Sequence, residues 1–430
     1  MKLIFAGDIL VTRSLRGALD RGVLDHLTAA LHGGDAVFGN LETLLHTFAT
    51  PPSAESGGTW LQADPVIAGE LRELGFDAVA RANNHALDYG VGALLTTSQA
   101  LDRAGVKHAG AGLDLSQALR PAFVDSEHGR VALISACSTL PNGSHASRQR
   151  HSISGRPGVA PLRYRTTYTI PPDMFQPLRV VARRCYFDKG RTPDRVRVAG
   201  VVFEPGPDYA VVSVPDEEDV EAISEAVANA RRVADVVVVS IHSQESEGDW
   251  ERPAGFLQLA CRAFAYAGAS VVYGHGPHLL RGVEVHQGVP ILYSLGSFAF
   301  QNDTVVRHPD DARRATSLPL GTADADIDRA KFDFSSDERF WHTAIATVHL
   351  DGARAVAVHL KPLVLRRTKA LLERGLPMSA SGTEGRHILE RVTRLSLEWD
   401  ASFEVTDTDA RWAGTRQLMA DHGGVERGDE

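Results

Sequence analysis

Cysteine is scarce in this chain. Cys137, Cys185 and Cys261 are the only three in 430 residues, an odd number with no paired spacing. A disulfide framework is excluded, and the expectation is buried, reduced thiols in a cytoplasmic protein. Long hydrophobic runs are missing too. No window approaches the roughly 18 apolar residues needed to cross a bilayer, and no signal peptide precedes the strand-like Met1 to Ala6. We therefore expect a soluble chain with no membrane partner. Excess positive charge is also absent: the net charge is −9 and the pI about 6.1. A general nucleic-acid binder needs a basic face for phosphate, so nucleic acid is excluded as a partner. The basic stretch Arg179 to Arg197 is interspersed with apolar residues and reads as a solvated sheet edge. No internal repeat is present. With 43% hydrophobic and 23% charged residues, the chain has the composition of a globular enzyme with one large core or two modest ones.

Five short polar clusters stand out against that background: Gly7-Asp8, Asn40-Leu41-Glu42, Asn83-Asn84-His85, His242 and Gly274-His275-Gly276-Pro277-His278. Each follows an apolar, strand-like run: Leu3 to Ala6, Ala36 to Phe38, Ala78 to Ala80, Val236 to Ile241 and Ser270 to Tyr273. Helical stretches alternate with these runs at Val23 to Leu31, Pro65 to Leu74, Gly92 to Ala104, Glu217 to Val233 and Gly255 to Ala267. That alternation predicts an α/β layered fold, with Leu and Ala at three- and four-residue intervals facing the sheet. The clusters then share the C-terminal edge of the strands, where the loops of open α/β sheets converge on one crevice. Carboxylate, amide oxygen and imidazole suit Zn, Mn or Fe. Singly, each cluster is no more than a turn or a cap; in this order they read as one divided metal site.

The clusters and their order resemble the CapA/PgsA family of capsule (poly-γ-glutamate) synthesis proteins, a branch of the calcineurin-like metallophosphoesterase superfamily. The likeness runs over about residues 1 to 300 and ends at Tyr293-Ser294-Leu295-Gly296-Ser297-Phe298, where the family usually has Asn in place of Ser297. It implies a layered calcineurin-like metallophosphoesterase fold with an inserted β-rich cap and a C-terminal extension. The domain expectation is a catalytic domain over 1–300, with 141–215 as the inserted cap beside the crevice. An extension over 301–430 follows, with an irregular lid to about 337, two strands over 341–364, a closing helix over 387–397 and a frayed tail. The resemblance also implies one or two divalent metal ions. One ion takes Glu42, Asn84, His242 and His275; the other takes Asp8, the shared Glu42 and His278. The superfamily adds a histidine two residues after the Asp, and this chain has Leu10 there, so the second site is short of a ligand. His85 matches the superfamily's active-site histidine. Capsule-type relatives typically carry a membrane anchor before the first motif, and the expectation here is a chain without one.

Around those residues, Arg13 and Arg81 are candidate substrate-binding guanidinium groups for a carboxylate or phosphate. Asp88 is read as orienting His85. Glu245 falls one place early for the family's His-Trp-Gly-x-Glu and receives no role. Three functions stay open. The first is metal-dependent hydrolysis or transfer of a phosphoester or amide-type bond in a peptide, poly-γ-glutamate-type or other carboxylate-bearing substrate. The second is epimerisation at a peptide Cα in lasso-peptide maturation, with Asp8 and His278 as acid and base. The third is a non-catalytic scaffold for a synthase, and the sequence assigns no oligomeric state.

Overall fold

The first strand, β1 (Lys2–Leu10), sends Leu3 and Phe5 to one side and Ile4 and Ala6 to the other, and all four are buried. A strand apolar on both faces needs cover on both, and the rest of the chain supplies it. The computed structural model describes residues 1–188, 192–330, 336–368 and 370–414. After β1 come β2 (Ala36–Leu41), β3 (Ala78–Ala80) and β4 (Lys107–Ala109), each parallel to its neighbour. Then β5 (Ala122–Ser126) and β6 (Gly129–Cys137) open a second sheet. The chain leaves it to build a side sheet from β7 (Tyr164–Ile170), β8 (Val196–Val198), β9 (Val201–Pro205) and β10 (Ala210–Pro215). It returns with β11 (Val236–His242), β12 (Val271–His275), β13 (Val283–His286) and β14 (Val289–Leu292), giving the order β13-β14-β12-β11-β6-β5. Finally β15 (Ser297–Phe300), β16 (His342–Asp351), β17 (Arg354–Leu365) and β18 (Ala410–Ala413) rejoin the first sheet. Its main path is β18-β17-β16-β1-β2-β3-β4, with β15 also against β1.

Alternation along the strands separates three cores. Leu3, Phe5, Phe38, Val236, Val238 and Tyr273 meet between the two sheets, with Phe5 5.4 Å from Phe38 and 5.1 Å from Tyr273. On the outer face of the first sheet, Ile4, Ala6 and Val79 pack on α1 (Asp25–Leu31), α2 (Ile67–Leu74) and α3 (Gly90–Ala104). In the cap, α4 (Pro172–Arg184) follows β7, and on the outer face of the second sheet Val237 and Val239 pack on α5 (Glu217–Ala230) and α6 (Gly255–Tyr266). The result is a helix, sheet, sheet, helix sandwich. Gly105, at φ +74°, ends α3 in the left-handed region that a side chain resists.

Four expectations need correction. The insertion is not only β-rich: α4 lies on the side sheet through Phe175 and Ala182 against Val196. Pro177 sits inside that helix and reads in sequence as a breaker, while Pro172 in its first turn presets the helical φ. The 301–337 segment carries two short helices, Asp310–Ala315 and Asp324–Ala330. Only Cys137 and Cys261 are buried; Cys185 is exposed, and all three are free. The C-terminal strands, expected to pack on the core, are built into it, because β16 pairs antiparallel with β1. The expected tail lies outside the described residues. Among those described, no helix is long and apolar enough to cross a membrane.

The β1–β2 register shifts between Phe5 and Asp8, a bulge that re-aims the strand end. There Asp8 N donates to Gly296 O at 3.1 Å, and a Cβ on Gly7 would stand 1.8 Å from that same oxygen. We predict that Gly7→Ala destabilises the fold by about 3 kcal/mol or more through overpacking. Urea unfolding of the two proteins checks it; an unchanged midpoint would contradict the close approach.

Candidate metal centre

Parallel pairing sets the side chains of the strand ends side by side. Asp8 of β1 is in register with Asn40 of β2, and His242 of β11 with His275 of β12. Glu42 follows β2 directly, and Asn83, Asn84 and His85 lie on the loop after β3. His278 ends the turn after β12 with φ +59°, a conformation that costs a non-glycine residue energy and points to a functional constraint.

These groups converge. Asp8 Oδ1 lies 4.0 Å from His242 Nδ1 and 3.6 Å from His275 Nδ1, and its Oδ2 lies 3.2 Å from His278 Nδ1. Glu42 Oε1 lies 3.7 Å from Nε2 of both His242 and His278 and 3.9 Å from Nε2 of His85. Asp8, Glu42 and Asp88 are each at most 1% exposed, and among the described residues none forms an ion pair with lysine or arginine. Burial pushes the Glu42 carboxyl well above the ordinary carboxylate range, and the charges of Asp8 and Asp88 push it further. Burial acts the same way on Asp8, but its hydrogen bond to His278 and the neighbouring imidazoles outweigh it and hold the group low. Burial also drives His242 well down and His275 to about 4, which leaves neutral, ligand-ready rings.

The unpartnered atoms test whether a cation fits. Both Glu42 carboxylate oxygens, Asn84 Oδ1 and His242 Nε2 are buried and take no hydrogen bond from protein. A buried carboxylate with no partner is costly, and a divalent ion between Glu42 Oε1 and His242 Nε2, 3.7 Å apart, answers that cost. Two overlapping sets, Asp8–His242–His275 and Asp8–Glu42–His278, each bring three donor atoms within 4.8 Å of one another. This grouping places Asp8 beside His242 and His275 as well as beside His278, so the two expected ligand sets share Asp8 as a neighbour. Oxygen and imidazole donors without thiolate are compatible with Mn, Zn or Fe.

Other side chains hold the donors in place. Asn40 Nδ2 donates to Asp8 Oδ1 at 2.8 Å, and Asn40 Oδ1 accepts from Asn83 Nδ2 at 3.1 Å. Gly276 N donates to Asp8 Oδ2 at 3.0 Å. Ser240 Oγ lies 2.7 Å from His275 Nε2, and Ser297 Oγ 3.2 Å from His278 Nδ1. Sequence reasoning gave Asn40, Ser240 and Ser297 no role. The period of two along β11, which puts Ser240 on the face of His242, was the available signal for Ser240. Asp88 Oδ2 sits 2.7 Å from His85 Nδ1 and is itself fixed by the Leu61 and Gly57 amides, so it orients His85.

The crevice in front of the centre has a volume of about 440 Å³, and its walls include His85, His278, Leu10, Gln244, Trp250 and Phe340. Leu10, where the resemblance places a histidine, is buried among Leu61, Leu279, Phe300 and Trp341, which offer no ligand. Arg81 is turned away from the crevice: its guanidinium donates to Ser98 Oγ and Leu94 O of α3, and burial lowers its pKa to about 10. Arg13 donates to Leu371 O at 2.7 Å and is not among the crevice walls. The geometry therefore corrects the substrate-binding expectation for Arg81 and gives Arg13 a backbone partner instead. For the supports, Asn40→Ala is predicted to weaken Mn²⁺ or Zn²⁺ affinity about 10- to 100-fold, as loss of a ligand-orienting group does. Calorimetric titration measures it, and an unchanged affinity would remove Asn40 from the centre.

Residues 2–302 match the family described as bacterial capsule synthesis protein PGA_cap. An uncharacterised protein of Sinorhizobium fredii is 30% identical over 422 residues, covering 94% of this chain and 91% of the relative. The PGA biosynthesis protein CapA of Bacillus subtilis is 24% identical over 69% of this chain and 62% of its own length. A probable polyglutamine synthesis accessory protein of Mycobacterium tuberculosis is 25% identical over 73% of this chain and 61% of its own. With a layered α/β sandwich and an Asp/His cluster at its strand ends, this chain belongs to the PGA_cap family.

Proposed function

We propose that this chain is a divalent-metal-dependent enzyme acting on a peptide or poly-γ-glutamate-type chain by hydrolytic chemistry. The observation that carries the reading is the convergence of unpartnered, buried Glu42 and His242 atoms, 3.7 Å apart, beside Asp8. Relatives named for PGA biosynthesis and polyglutamine synthesis support a polymer of amino acids as the substrate class. A divalent ion bound there supplies Lewis acidity to a substrate oxygen and to water. The chain's own contribution is a proton. Asp88 holds His85 Nδ1 and fixes the ring, and His85 passes a proton through Nε2 to the leaving group. Water adds to the scissile carbon or phosphorus and its proton passes to His85 Nε2, so the leaving group departs with one proton and the histidine ends as it began.

A second reading is epimerisation at a peptide Cα. It is favoured by His278 on the crevice wall and by Leu10 in place of a further ligand, and it requires the 3.2 Å contact between Asp8 and His278 to open around the substrate. One of the pair removes the Cα proton and the other returns one to the opposite face. A scaffold without chemistry leaves the burial of Glu42 without compensation.

The two reactions differ in what Asp8 does. Metal per chain is measured in wild type and Asp8→Asn, together with turnover of a carboxylate-bearing peptide in heavy water. Under hydrolysis we expect about two ions falling to one, with bond cleavage and no deuterium at Cα. One ion in both proteins, with Cα deuteration abolished by the substitution, would replace hydrolysis by epimerisation. Full metal occupancy after both His242→Ala and Asn84→Ala would overturn the centre itself.

A further inference from the structure

Glu245 takes no part in the metal centre, yet it borders it. Three residues beyond His242, it faces a second chamber of about 490 Å³, walled also by Asn84, Ser138, Thr139, Arg163 and Tyr164. Gly57 lies on the wall of both this chamber and the crevice, so the two meet at the metal centre. Glu245 is held by hydroxyls alone. Its Oε2 accepts from Ser138 Oγ at 2.6 Å and Ser243 Oγ at 2.9 Å, both oxygens accept from Thr139 Oγ1 at 3.1 Å, and Oε1 accepts from Tyr164 OH at 3.4 Å. A hydroxyl has one proton to give. Once it is given to Glu245, the oxygens of Ser138 and Tyr164 remain as acceptors, while Thr139 Oγ1 already accepts from Gln244 N at 2.9 Å.

The nearby cations are otherwise engaged. Arg163 is bound to Asp219 by two hydrogen bonds of 2.7 Å. Arg281, behind the loop, donates to the carbonyl oxygens of Ser243, Gln244, Glu245 and Trp250. The chamber thus presents one carboxylate and a wall of acceptors, the complement of a cationic donor.

We infer that this chamber is a subsite for a protonated amine carried by the substrate, with Glu245 as its counter-charge. The inference rests on the peptide-chain reading above, since a peptide supplies that group as its N-terminus or a lysine side chain.

The test uses the full chain loaded with Mn²⁺ and dye-labelled hexapeptides that differ only in lysine or norleucine and in a free or acetylated N-terminus. Affinity is read by fluorescence anisotropy for wild type and Glu245→Gln. Wild type is expected to prefer one amine-bearing peptide by about ten-fold over its neutral counterpart, and the preference should vanish in the variant. Which peptide is preferred identifies the amine. Equal affinity for charged and neutral peptides, or a preference that survives in Glu245→Gln, overturns the subsite. Hexylammonium and hexanoate, compared on wild type by saturation-transfer NMR, need no variant and no peptide. Selective hexylammonium binding with no peptide binding upholds the subsite and removes the peptide reading; binding of neither hexylammonium nor any peptide overturns the subsite.

Discussion

Three carboxylates, Asp8, Glu42 and Asp88, lie almost wholly out of water at the seam where two sheets meet, and the arrangement of the strand ends answers to that fact. An ionised carboxylate in such a place is tolerated only when paired, hydrogen-bonded or bound to metal. Asp8 has the Asn40 amide, the Gly276 amide and His278; Asp88 has two backbone amides and His85. Glu42 has none of these. The asymmetry marks where a cation belongs, because the group that protein leaves unsatisfied is the one that lies within 4 Å of three imidazole nitrogens, those of His242, His278 and His85. Strong apolar packing on both sides of each sheet holds these ends rigid enough for the spacing to persist.

The layered fold and the location of the centre were legible because both rest on short-range rules. Continuous apolar runs gave the buried strands, helices of the right spacing lay between them, and polar residues at strand ends converge by topology. The side chains that support the centre were less legible. Ser240 and Ser297 are unremarkable residues whose roles exist only because β11 meets β12 and the turn carrying His278 meets β15. The helix α4 was hidden by Pro177, whose local veto is overridden by Phe175 and Ala182 packing on the side sheet.

Arginine was the most misleading residue type. A guanidinium beside a strand-end cluster suggests anion recognition, yet Arg81 ties the loop after β3 to α3, and Arg281 gathers four carbonyls of the loop after β11. Both are fully buried and bond mainly to backbone. Five donors in a fixed plane suit a loop's scattered carbonyls as well as they suit a carboxylate. Their contribution to the site is indirect: they fix the loops on which His85, Gln244, Glu245 and Trp250 stand.

The place of β1 has a consequence for how the molecule is made. The strand that carries Asp8 leaves the ribosome before every other strand described, but its antiparallel neighbour, β16, ends at Asp351. At about 5 to 20 residues per second, synthesis leaves that flank of β1 unpaired for roughly 20 to 70 s. During that interval an apolar strand edge is open to wrong partners. A nascent chain cut at residue 302, where the family match ends, would keep that edge exposed for good.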